Sequence, residues 1–432
     1  MAKEVNVHVE HVTRVEGHGS ILLNAKNGKV EKLEWQVVEA PRFFESFVRG
    51  RPYHQLAKLT SRICGICSIG HTLASLKATE AAMGINISEQ TATLRRLALH
   101  GENLQSHVLH VGYLVAPDVF GVGSVFPLVK THPEAVTSIV KLHRIANEMS
   151  DLICGRTTHP TNLVPGGMWK IPPEKQLRET RQKLIESIEI GNNVAEVLLG
   201  NAGALPAFTR DTEYIALTSD YEYALYDGLV GSTDAKPMKV DDYRSIVNEY
   251  IVPQSTAKYA KHKRDAYMVG ALARFNLNAG KLSPLAKKWA DEFGLKPVNC
   301  NPFMNSVAQM VEFFHSAEDS IHLIDKLLAR GLVDERRPKI WVKAGRGSGA
   351  VEVPRGILFH EYEYDDKGVC TKANCVIPTN QNHANIQKDM EALVPTILDR
   401  PHKEIELSLE MLVRAYDPCI SCSTHYLNVK WK

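Results

Sequence analysis

Arg62-Ile63-Cys64-Gly65-Ile66-Cys67-Ser68-Ile69-Gly70-His71 carries two cysteines two residues apart and runs into a helix-favouring segment, TLASLKATEAAM. That spacing lets both sulfurs turn toward one ion, and a thiolate at a helix start gains from the local positive potential. A second pair lies at the far end of the chain, in Asp417-Pro418-Cys419-Ile420-Ser421-Cys422-Ser423-Thr424-His425. By ligand type alone, four thiolates suit a structural zinc or an iron–sulfur centre as well as nickel. A zinc knuckle usually closes a short loop, whereas joining these two pairs closes nearly the whole chain. On the logarithmic loop law that costs roughly 5 kcal/mol before any constant term, so the rest of the fold must bring the ends together. The chain is therefore expected to be one interdependent domain, 1–432, with its metal site built from residues 62–71 and 417–425.

Composition narrows the class. The 432 residues are 44% hydrophobic, enough to bury a large core, and 51 Lys plus Arg nearly balance 49 Asp plus Glu. No field of one sign marks nucleic acid or an anionic membrane as the main partner. No apolar run is long enough to span a bilayer, and MAKEVNVHVEHV lacks the basic-then-apolar pattern of an export signal, so direct membrane insertion is not expected. Eight cysteines, four of them in C-x-x-C pairs, point to metal or redox chemistry more than to a disulfide framework.

Periodicity predicts an α+β fold, mainly α: a central long-helix bundle with small peripheral antiparallel β-sheets. SILLNA and VEKLEWQVVEA flank Lys26, Asn27, Gly28 and Lys29, a strong hairpin signal, and GILFHEYEY and VCTKANCVIP flank Asp365 to Gly368 in the same way. Between them, residues 92–114, 136–154, 176–200, 306–330 and 384–396 carry apolar residues three and four apart. Gly- and Pro-rich punctuation falls at 159–167 and around Gly345 to Pro354, in stretches too short for flexible linkers. His100, His107 and His110 share one helical face, where packing is the plainer reading. Cys154, Cys300, Cys370 and Cys375 lack paired spacing and read as small apolar core residues.

RICGIC with its following histidine and DPCISCSTH resemble the two signature motifs of nickel–iron hydrogenase large subunits. TRVEGHGSI (13–21), PRFFESFVRGR (41–51), SHVLHVGYLVAPD (106–118), GRTTHPTNLVPGG (155–167), EVPRGILFH (352–360) and VIPTNQN (376–382) agree in the family's order. The resemblance spans essentially the whole chain and implies the hydrogenase large-subunit fold. It implies that Cys64 and Cys419 are terminal nickel ligands. Cys67 and Cys422 would bridge nickel to an iron carrying carbon monoxide and cyanide, and a terminal sulfur would act as base. Glu16 matches the glutamate that relays the proton, although alone it reads as an acidic residue ending a strand. Arg355 resembles the arginine overlying the metals, oriented by Asp118 and Asp417. Pro354 and Thr379 resemble neighbours of the cyanides, and His71 the histidine bonded to a bridging sulfur. Glu45, His425 and the backbone carbonyl of Cys375 match a separate magnesium or iron site.

No further cysteine set here could hold a chain of iron–sulfur clusters. Electrons must cross to another polypeptide, and the resemblance implies an iron–sulfur small subunit, with further flavin or iron–sulfur electron-transfer subunits behind it. EAPRFFE and DPCISCS are similar to the cytoplasmic, multisubunit branch of the family. Most members lose a C-terminal extension after the histidine matching His425. Here YLNVKWK follows, and this tail is expected to be retained. Two rivals stand beside this reading. The quinone-site subunit of respiratory complex I resembles these subunits but lacks the cysteine quartet, and a non-catalytic zinc protein would hold one zinc and no gas chemistry.

Overall fold

Val5, Val7 and Val9 alternate into the core and make the first strand, β1 (Glu4–Val9), which pairs antiparallel with β2 (Gly19–Lys26). The expected hairpin then leads from β2 into β3 (Lys29–Val37). Asn27 and Gly28 take φ of 52° and 74°, the two positive values that a two-residue turn matched to strand twist requires. The computed structural model describes residues 4–335 and 337–424.

Two short helices, α1 (Phe44–Val48) and α2 (Tyr53–Thr60), lead to α3 (Ser68–Met83), the helix that begins immediately after Cys67. The bundle follows: α4 (Glu89–Leu109), α5 (Pro133–Cys154) and α6 (Glu174–Leu199). The apolar spacing of residues 92–114 runs past the end of α4 into a π-helical segment, His110–Val115. Short strands come next, with β4 (Glu213–Thr218) antiparallel to β5 (Leu229–Ser232) and parallel to β6 (Tyr267–Met268). A short helix, α7 (Ala271–Asn278), precedes the last long bundle helix, α8 (Asn305–Arg330). His100, His107 and His110 are buried and each meets α8, through Asp319, Glu312 and Gln309 respectively. All three are core residues tied to α8 by side-chain hydrogen bonds.

A three-stranded antiparallel sheet follows: β7 (Gly345–Val353), β8 (Gly356–Tyr364) and β9 (Cys370–Val376). The chain ends in α9 (Pro378–Leu393), α10 (His402–Ala415) and a helical turn, Ile420–Ser423. The mainly α class holds, but this sheet is interior, not peripheral. Gly345, Gly347 and Gly349 share one face of β7, where side chains alternate. That face lies against Ala74, Ala78 and Ala82 of α3, spaced four apart on one helix stripe. The stretch whose glycines read as punctuation is thus a strand whose missing side chains admit a helix backbone. A β-carbon on Gly347 would stand 2.3 Å from both the Ala78 carbonyl and the Ala82 amide. Backbone cannot swing aside, so Gly347→Ala is expected to cost about 3 kcal/mol. The exposed Gly123, with open space around it, should tolerate alanine within about 0.5 kcal/mol. Comparing the unfolding midpoints of the two variants checks this.

Val353 pairs with Gly356, so Pro354 and Arg355 form the tip of the β7–β8 hairpin. Arg355 is presented by the tightest connection in a buried sheet.

Candidate metal centre

After α10 the chain turns at Asp417, whose φ is 49°, and runs beside residue 16 as a short parallel bridge. Glu16 donates its amide to Pro418 O at 3.4 Å and accepts from the Ile420 amide at 2.9 Å. This places the second cysteine pair over the start of α3. All four cysteines are buried, and the Sγ atoms of Cys64, Cys67, Cys419 and Cys422 lie within 4.8 Å of one another. Cys64 faces Cys419 at 3.5 Å, Cys67 faces Cys422 at 3.8 Å, and the Cys419 and Cys422 sulfurs are in direct contact. Hydrogen bonding from Cys67 holds the Cys64 thiol below its usual range against burial, with the Arg355 charge acting in the same direction. Hydrogen bonding to Cys64 and burial push Cys67 well up.

The shell around the sulfurs is polar and organised. Glu16 Oε2 accepts from Cys419 Sγ at 3.1 Å and from the Ser421 amide at 3.2 Å, while Oε1 takes the Ser421 hydroxyl. Thr379, in the first turn of α9, accepts the Cys419 amide at 3.0 Å. Arg355 is buried and donates through Nε to Asp417 O at 2.6 Å and through Nη2 to Asp417 Oδ1 at 2.9 Å. Its Nη1 has no hydrogen-bond partner among the described residues. Gln309 of α8 donates to Asp417 Oδ2 at 3.0 Å and fixes that carboxylate. Glu102, wholly buried, accepts the Ile69 and Gly70 amides and so caps the helix that begins after Cys67. Burial pushes its pKa up to about 8 against the pull of those two amides. Four converging thiols, a guanidinium with one unused donor and a dry surround fit a soft, thiolate-bound metal group.

The comparisons decide the family. A family model described as nickel-dependent hydrogenase matches residues 42–140 and 211–425, and a second, described as HoxL-like, matches residues 6–40. The chain belongs to the nickel-dependent hydrogenase family. Sulfhydrogenase 2 subunit alpha of Pyrococcus furiosus is 32% identical over 98% of this hydrogenase subunit and all of its own length. NAD-reducing hydrogenase HoxS subunit beta of Cupriavidus necator is 29% identical over 97% and 94% of the two chains. Among solved structures, an NAD+-reducing nickel–iron hydrogenase in the H2-reduced state superposes with a TM-score of 0.88 at 26% identity, covering 97% and 99%.

The hydrogenase subunit sets the remaining residues singled out in the sequence in different surroundings. Pro354 is at the hairpin tip, with its carbonyl bound by Arg274 at 3.0 Å. His71 is buried in α3 and its Nδ1 lies 3.1 Å from His360 Nε2, while His360 Nδ1 meets the Tyr362 hydroxyl at 2.6 Å. Glu45 and Cys375 meet, the Cys375 amide donating to Glu45 Oε1 at 2.9 Å, and the Arg42 amide brings Thr424 O to 2.7 Å. His425 and the tail after it lie outside the described residues. Asp118 needs correction as a partner of Arg355. Its carboxylate is taken by Arg14 at 2.6 Å and by Arg414 at 2.7 and 2.9 Å, and among the described residues only Asp417 pairs with Arg355. Arg14 and Arg414, not Arg355, therefore neutralise Asp118.

Sequence reading gave no role to Glu102, Arg274, Glu312 and His360, which acquire their partners only in three dimensions. His383 was missed too. It accepts the Trp35 indole N–H at 2.9 Å and so donates through Nε2 to the Ser423 hydroxyl, tying β3 to the second cysteine pair. Burial lowers its pKa to about 3. A histidine held neutral in the fold contributes fully above its unfolded value of roughly 6.5, and the contribution is lost as pH falls from there toward 3. At pH 5 the loss is about 2 kcal/mol. His383→Gln keeps an acceptor and a donor, so its stability should fall by that much less than the wild type's between pH 7.5 and pH 5 in urea titrations.

Proposed function

We propose that this subunit catalyses the reversible heterolytic cleavage of dihydrogen to protons and electrons. Cys64 and Cys419 would hold nickel, and Cys67 and Cys422 would bridge it to iron carrying carbon monoxide and cyanide. When bound, that centre supplies the Lewis acidity and redox capacity that polarise and split dihydrogen. The observation that carries the reading is the proximity of Glu16 Oε2 to Cys419 Sγ, 3.1 Å, within a cage of four buried sulfurs.

The chain's own groups then have definite tasks. Cys419 Sγ acts as base, and Glu16 takes its proton at hydrogen-bond distance, the geometry general acid–base catalysis demands. Ser421 holds the Glu16 carboxylate in place through its amide and hydroxyl. Arg355, oriented by Asp417 and with one donor unused, brings an unchanging positive charge to bear on Cys64 and Cys67, where charge would separate during cleavage. Thr379 fixes the Cys419 backbone, and with Pro354 it would line the side of the site that holds the cyanides. His71, braced by His360, would tune the thiolates of the centre from outside. Glu45, the Cys375 carbonyl and His425 would hold magnesium or iron, oxygen donors suiting the former.

Electrons would pass to an iron–sulfur small subunit and then to flavin or iron–sulfur modules serving a soluble acceptor. The sulfhydrogenase and NAD-reducing relatives support a soluble acceptor, and a cytoplasmic location is part of the same proposal. Among the described residues no helix is long and apolar enough to cross a membrane. The purified complex should contain nickel and iron and reduce an artificial acceptor under dihydrogen. A complex with zinc alone, inert toward dihydrogen, would sink the proposal.

A further inference from the structure

Arg274, in α7, lies outside every motif that marks the metal site, yet it is wholly buried and all five of its N–H groups are used. Nε and Nη2 clasp Glu312 at 2.7 Å each, and Nη1 reaches Glu352 at 2.9 Å. The two remaining donors go to main chain, Nη1 to Val353 O at 2.8 Å and Nη2 to Pro354 O at 3.0 Å. These are the two carbonyls immediately before Arg355, at the hairpin tip. Each partner is itself anchored. Glu352 accepts the Leu217 amide at 2.7 Å, and Glu312 also takes His107 at 2.8 Å and the Tyr223 hydroxyl at 2.6 Å.

The two tip residues lie outside the β7–β8 ladder, and the guanidinium of Arg355 must stay where its charge acts on Cys64 and Cys67. Asp417 fixes the far end of that side chain and Arg274 fixes the backbone from which it springs. A core built only for stability would bury apolar side chains here, since replacing a buried ion network by well-packed hydrophobes is often neutral or stabilising. What the network adds is fixed geometry at one turn.

We propose that Arg274 is a positioning residue of the metal site, which through the Val353 and Pro354 carbonyls sets the placement of Arg355 over the four cysteines. This rests on the nickel–iron reading above. The test uses the purified holo complex and compares wild type, Arg274→Lys and Glu312→Gln by metal analysis, infrared spectroscopy of the iron-bound cyanides, and kinetics. Lysine keeps the charge but has three donors for five acceptors. R274K should therefore load nickel and iron normally, shift or broaden the cyanide bands, and lower kcat about tenfold with an unchanged KM for dihydrogen. Bands and kcat matching wild type would overturn the proposal. If R274K yields no soluble complex, E312Q decides, because it leaves Arg274 in place but loosens its clasp. Shifted bands support positioning, and wild-type bands and kcat overturn it. A wild-type complex without such bands would instead overturn the nickel–iron reading, so the two failures are distinct.

Discussion

Cys422→Ser is expected to reduce the nickel and iron content of the purified complex at least tenfold and to abolish dihydrogen-dependent acceptor reduction. The substitution changes one atom at a wholly buried position, so the fold has little reason to respond. The donor set does. A serine hydroxyl remains protonated near neutral pH and is a hard ligand, whereas the cage offers soft thiolates that the metal itself keeps deprotonated. Cys422 faces Cys67 across the cage, and losing it removes one of the two sulfurs assigned to the bridge. Plasma mass spectrometry of the complex, with circular dichroism to confirm folding, measures the effect. Full metal content in the serine variant would show that this sulfur is not a ligand.

Glu16→Gln should have the opposite signature: intact metal and little activity. Glutamine can still accept from the Ser421 amide and fill the same space, so the local bridge to Cys419 survives. It cannot carry a proton. Removing a positioned acid–base group costs on the order of 10²–10⁴ in rate, and exchange of dihydrogen with solvent deuterium should slow in step. Nickel loss from E16Q would mean that the carboxylate is structural.

The cysteine cage was legible because a C-x-x-C pair is a local pattern, and the closure of the whole chain needed to join two such pairs already put the site at the molecule's centre. The Asn27–Gly28 turn and the long helices were legible for the same local reason. Arg274 and Glu102 were not, since a lone arginine or glutamate on a helix has no sequence mark until its partners arrive from distant segments. Asp118 shows the converse. A motif can place an aspartate near the site, but which of three arginines it binds is decided by packing, and Arg14 and Arg414 reach it. Gly345, Gly347 and Gly349 read as a break because glycine usually is one, while here their bare face receives α3.

Infrared spectroscopy of the purified wild-type complex tests the central claim most directly, because cyanide and carbon monoxide on iron absorb where protein does not. The account predicts bands of both ligands that shift between dihydrogen-reduced and oxidised samples. A spectrum empty in that region, from a complex whose four cysteines hold only zinc, would contradict it.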